Sequence, residues 1–111
     1  MSEYIQVVTN TDSEAEARRI ARTLVEQRLG ASAQVSGPVT SMYWWKGRIE
    51  TGPEWQCAVK TRRELYLQVE QTIQRLHSYE VPAVLALPIQ AGPQPYLNWL
   101  DEAVRGGENS A

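Results

Sequence analysis

The sequence predicts an α+β fold in which two helices cover one face of a four-stranded antiparallel sheet. Three observations support this. Stretches of strand-like alternation and of helical spacing follow one another in the order β-α-β-β-α-β, with a closing helix. That order is the ferredoxin-like split βαβ plan. The two central strands form a unit much longer than an ordinary hairpin, and "MYWWKG" at residues 42–47 places two tryptophans side by side within it. The chain has 111 residues and is 42% hydrophobic, enough for a single core.

The first strand is read in "EYIQVVTN", with Ile5 and Val7 on one face and Tyr4, Gln6 and Val8 on the other. Ser13 followed by Glu16 has capping-box spacing and opens a helix. Ala17, Ile20, Ala21, Leu24 and Val25 repeat at helical spacing, and Gly30 supplies a left-handed stop. Residues 31–46 read as one long strand interrupted at Gly37-Pro38, and Gly47-Arg48 as a hairpin tip. "RIETGPEWQCAVKT" returns as its partner, with a second irregularity expected at Gly52-Pro53. "RRELYLQVEQTIQRL" is helical, with Leu65, Val69, Ile73 and Leu76 on one stripe and Arg62 and Arg63 facing solvent. "VPAVLALPI" reads as a strand buried on both sides. In "PQPYLNWLDEAVRGG" Pro93 or Pro95 opens a short helix whose apolar face is Tyr96, Leu97, Leu100 and Val104. One domain is expected over residues 1–105, with a loose tail at 106–111.

Bulk properties exclude several classes. A net charge of −2 offers no electrostatic footprint for nucleic acid or an acidic membrane. No run is long enough to span a bilayer, and the N-terminus does not have the pattern of a signal peptide. Cys57 is the single cysteine, so no internal disulfide forms and a cytoplasmic location is expected. An acyl-phosphate hydrolase on this plan needs a phosphate-cradling loop after the first strand, but "TNTDSEAE" is acidic and lacks glycine. An RNA-recognition module needs aromatics in a basic frame, which "AVKT" does not supply.

Neighbouring strand residues point to opposite faces, so Trp44 and Trp45 cannot both enter one side of the sheet. Helices cover one side only, and an isolated two-stranded ribbon is marginal in water. The second indole is therefore expected in a subunit interface, where tryptophan is an enriched anchor.

The segments "VTSMYWWKGRIE", "AVKTRRE", "LHSYEVPAVLALPI" and "YLNWL" resemble, in order and spacing, the CutA divalent-cation-tolerance family, over residues 7–100. The resemblance implies a homotrimer sharing long hairpin strands, with no enzymatic activity. It also implies a cytoplasmic role in the response to metal ions, with Cu2+ or another divalent cation as the bound species. Two departures bear on metal binding. Ser32 stands where family members often carry a cysteine, and "HSYEVPAV" has Ser78 for a proline and Ala83 for a glutamate. Serine is a poor copper ligand.

The candidate chemistry lies in few residues. His77, the only histidine, is either a metal ligand with Glu80 nearby or a cap that holds the end of the second helix. Cys57, flanked by alternating strand residues, reads as a buried, inert thiol. Lys60 and Thr61 are expected to meet His77, Tyr79 and Glu80 at one edge of the sheet, in an intersubunit pocket walled by Trp45. One cation, one carboxylate and aromatic walls suit a small anionic or zwitterionic ligand. The alternative for Lys60 and Glu80 is a buried ion pair that locks the interface. Two functions stand: metal tolerance with copper binding, and a PII-like trimeric sensor with small-molecule sites at subunit clefts.

Overall fold

The computed structural model describes residues 3–106. The expected loose tail lies, apart from Gly106, outside the described residues. The elements run β1 (Tyr4–Thr11), α1 (Glu14–Glu26), β2 (Ser32–Trp45), β3 (Arg48–Arg62), a 3-10 turn (Arg63–Leu65), α2 (Tyr66–Leu76), β4 (Leu85–Ile89) and α3 (Gln94–Ala103). The strands form one sheet in the order β2-β3-β1-β4, and every neighbouring pair is antiparallel. This is the α+β, ferredoxin-like arrangement expected from the element order.

Alternation along β1 directs Ile5, Val7, Thr9 and Thr11 inward. Ile5 and Val7 meet Ile20 and Leu24 of α1, Val69 and Ile73 of α2, and Val59 of β3 in one buried cluster. The Ser13 hydroxyl accepts the Glu16 N–H at 3.2 Å and caps α1. The helix ends differently from expectation. Arg28, not Gly30, takes the left-handed conformation, at φ 58°. The Leu29 N–H bonds Leu24 O and the Arg28 N–H bonds Val25 O, a Schellman closure with Leu29 packed in the core. Gly30 serves close packing instead, because a Cβ there would stand 2.4 Å from Val59 Cγ1.

The hairpin tip is Lys46-Gly47, with φ 51° and 80°, the pattern of a two-residue type I′ turn. Its register shifts between Ser36 and Val39, around Gly37-Pro38, as expected. No shift occurs at Gly52-Pro53, where Ser41 pairs with Gly52 and Thr40 with Pro53. Pro53 lies past the end of β1, where β3 has a strand on one side only, so a missing N–H is tolerated.

β1 pairs with β3 only as far as Trp55, and beyond it the hairpin projects as a two-stranded ribbon. The molecule accordingly measures 51 × 25 × 21 Å. Within one chain neither indole is buried: Trp44 is 72% exposed and Trp45 44%. Both sit on the ribbon, beyond the reach of the helices. Strand β4 is likewise shorter and barer than expected. It is a five-residue edge strand with Leu85 and Leu87 exposed, and it is covered on neither side as a buried strand would be.

Helix α3 is fastened at the far end of the sheet. Asp101 receives the Tyr4 hydroxyl at 3.0 Å and pairs with Arg62, which also bonds Glu64 at 2.7 Å. Arg62 thus belongs to β3 and to an ion-pair cluster, not to solvent, whereas Arg63 is exposed as expected. Leu100 and Val104 are fully buried, while Tyr96 stays exposed.

Candidate functional site

Where the ribbon leaves the body, an open cleft of about 730 Å³ is lined by Asn10 of β1, Ser41–Trp45 of β2, Glu54 of β3, and Tyr79, Glu80, Val81 and Ala83 of the connection into β4. Two connections create it. The long β2–β3 hairpin supplies an aromatic wall, and α2 returns the chain to the end of β1 so that residues 77–83 face that wall.

Of the expected site residues, Trp45, Tyr79 and Glu80 line this cleft. Lys46 Nζ sits 5.7 Å from the Trp45 ring centroid, over its face. His77 lies beneath the cleft, with its side chain wholly buried. Its Nε2 is 2.8 Å from Asn10 O, its Nδ1 accepts the Tyr79 N–H at 3.1 Å, and its ring stands 4.7 Å from that of Tyr79.

The structure does not bring Lys60 and Thr61 to this place. Lys60 pairs with Gln6 and Ser32, and the Thr61 hydroxyl, fully buried, donates to Leu29 O at 2.7 Å. His77 meets β1 at Asn10, four ladder positions away, roughly 13 Å at strand spacing. The reason is topological. Strands β3 and β4 flank β1 and run parallel to each other, so the end of β3 and the start of β4 lie at opposite ends of the sheet. A pocket or ion pair joining Lys60 to Glu80 does not form within one chain.

Glu54, Glu16 and Asn10 were missed in the sequence. Glu54 is nearly buried and accepts the Tyr79 hydroxyl at 2.6 Å. Burial first, and this hydrogen bond second, hold the Tyr79 phenol well above its ordinary pKa, so it stays neutral. Glu16 was read as a helix-capping residue, but its carboxylate turns inward. Oε2 accepts the Thr11 hydroxyl at 2.6 Å, the Ser78 N–H at 3.1 Å and the Ser78 hydroxyl at 3.0 Å. Burial pushes its pKa up, but these bonds outweigh that and leave it below the ordinary value. A glutamate three residues after Ser13 gives the same signal for either role, and only the distant Ser78 separates them.

The lining therefore carries two carboxylates, Glu54 and Glu80, and no lysine or arginine. Within one chain the cleft therefore lacks the cation of the one-cation, one-carboxylate arrangement expected for an anionic ligand. The residues do not fit a copper site either. Among the described residues no group of three or more His, Cys, Asp or Glu side chains could hold a metal ion. Cys57 is fully buried, and burial pushes its thiol up to about 12.

The fold and cleft together define a ferredoxin-like α+β domain with a projecting ribbon and an acidic, aromatic groove at its base. Residues 5–103 match the profile of the CutA1 divalent ion tolerance protein. The divalent-cation tolerance protein CutA of Archaeoglobus fulgidus is 40% identical over 89 residues, covering 80% of this chain and 86% of that one. Its namesake from Thermus thermophilus is 38% identical over 96 residues, covering 86% and 93%. The crystal structure of CutA1 from Oryza sativa superposes with a TM-score of 0.91 at 30% identity, covering 95% of this chain and 96% of that one. The chain belongs to the CutA1 divalent ion tolerance family.

Proposed function

We propose that the protein is a non-enzymatic, cytoplasmic divalent-cation tolerance protein that works as a homotrimer and binds metal weakly or indirectly. One observation supports the assembly above the rest. Met42, Trp44 and Ile49 are 71%, 72% and 61% exposed on a ribbon supported by no third strand. Apolar surface of that size on an isolated two-stranded element marks an interface. The bare edge of β4, with Leu85 59% exposed, offers ladder groups to pair with it. A net charge of −2 gives no overall attraction to nucleic acid or an acidic membrane, which favours identical copies as partners.

A second reading is a PII-like sensor with a small-molecule site at the subunit clefts. The groove walled by Trp45, Tyr79 and Glu80 favours it.

Calorimetric titration of the assembled protein with Cu2+, and separately with nucleotides and small metabolites, tests the two readings. Stoichiometric copper heat that disappears in His77→Ala supports direct metal handling. Copper heat unchanged in that variant, beside a saturable metabolite signal, supports the sensor.

A further inference from the structure

Three successive residues after α2 each fasten to a different element. His77 bonds β1 through Asn10 O at 2.8 Å, Ser78 bonds α1 through Glu16 at 3.0 and 3.1 Å, and Tyr79 bonds β3 through Glu54 at 2.6 Å. The hydrogen-bonded partners at His77 select one tautomer, and Glu16 Oε2 stands further off, 3.5 Å from Nδ1. Asn10 O is a carbonyl and can only accept, so Nε2 must carry the proton. The Tyr79 backbone N–H can only donate, so Nδ1 must present its lone pair. Both ring nitrogens are thereby committed, within a side chain with no solvent exposure.

We propose that His77, as the neutral Nε2–H tautomer, is a positioning residue that sets the wall of the cleft through Tyr79, and is not an open metal ligand. Ser78 strengthens the same loop. A proline at position 78 would have neither the N–H nor the hydroxyl that Ser78 gives to Glu16. Residues 77–79 then hold Tyr79 so that its hydroxyl reaches Glu54 and its ring packs at a tilt against the imidazole. Glu80 and Val81, which also line the cleft, follow directly in the chain and inherit that placement. The inference gives the cleft reading its positioning residue and rests on it for functional meaning. The tautomer and the lock can be tested with no ligand present.

The test uses nitrogen-15 NMR on the full-length protein at pH 7.5. His77 is the only histidine, so every imidazole signal belongs to it. A protonated Nε2 and an unprotonated Nδ1 are expected, unaltered by one equivalent of Cu2+. The Tyr79 amide is expected to be protected from exchange. His77→Ala should speed its exchange roughly fivefold to tenfold, the loss of about one hydrogen bond, while the Val7 and Val59 amides keep their protection. His77→Gln, which can still donate and accept, should restore part of the protection. An Nδ1–H tautomer, a charged ring, or Nδ1 broadened by stoichiometric Cu2+ overturns the proposal. So does a Tyr79 amide that exchanges no faster in His77→Ala. If that variant does not fold, the wild-type tautomer and copper measurements decide alone. Failure of metabolites to bind, with the tautomer as stated, overturns the sensor reading and leaves the lock intact.

Discussion

Gly30 lies so close to Val59 that a Cβ at position 30 would stand 2.4 Å from Val59 Cγ1. The glycine between α1 and β2 therefore lets the chain pass against the sheet, and its φ plays no part. The Gly30→Ala substitution should cost about 1–3 kcal/mol, the usual range for overpacking. Val59→Ala in the same chain should return part of that loss, a coupling expected only between residues in contact. Denaturant unfolding of the two single variants and the double variant measures it. Strict additivity would contradict the packing described.

The Glu16 carboxyl is a source of acid sensitivity. Its folded pKa lies below its unfolded value, so it contributes stability that is present above roughly pH 4.3 and is lost as pH falls through the folded value. Glu16→Gln should be less stable at pH 7 and should show a shallower loss of stability between about pH 5 and pH 3. Unfolding free energies at a series of pH values check this. Parallel curves for the variant and the wild type would show that Glu16 has no such role.

Cys57 should be inert while the chain is folded. Burial pushes its thiol up to about 12, so at pH 8 almost none is thiolate. An aromatic disulfide reagent should label it only at the rate of unfolding. Its contribution to stability has the opposite pH dependence to that of Glu16. It is complete below the unfolded thiol pKa of roughly 8.5 and declines as pH rises from there towards the folded value. Fast labelling at pH 8 under native conditions would mean that the thiol is open.

Trp45 stands half exposed on the ribbon, so its worth is expected to lie between subunits. Trp45→Ala should lower the melting temperature of the assembly with a loss of several kcal/mol, in the range of a core aromatic truncation. The loss should also grow on dilution, because assembly shifts stability by mass action. A concentration-independent change would place the indole's role within one chain.

The fold was legible because its signals are periodic and local. Ile5 and Val7 alternate, and Leu65, Val69 and Ile73 recur at helical spacing, and each reached the core as expected. The family resemblance was legible because several short motifs, from "MYWWKG" to "HSYEVP", recur in order. The site was less legible because its parts meet through topology. Lys60 and His77 looked adjacent until the crossover through α2 set them at opposite ends of the sheet. Glu54 and Glu16 carry no motif, and their roles come from Tyr79 and Ser78, which lie 25 and 62 residues further along the chain. The left-handed Arg28 hid behind Gly30, the commoner residue for that conformation.

The most direct measurement of the central claim, that the bare ribbon and the β4 edge are covered by identical copies, is the solution mass by light scattering at micromolar concentration. A mass of three times the 12.5 kDa of one chain is expected. A mass of 12.5 kDa would contradict it.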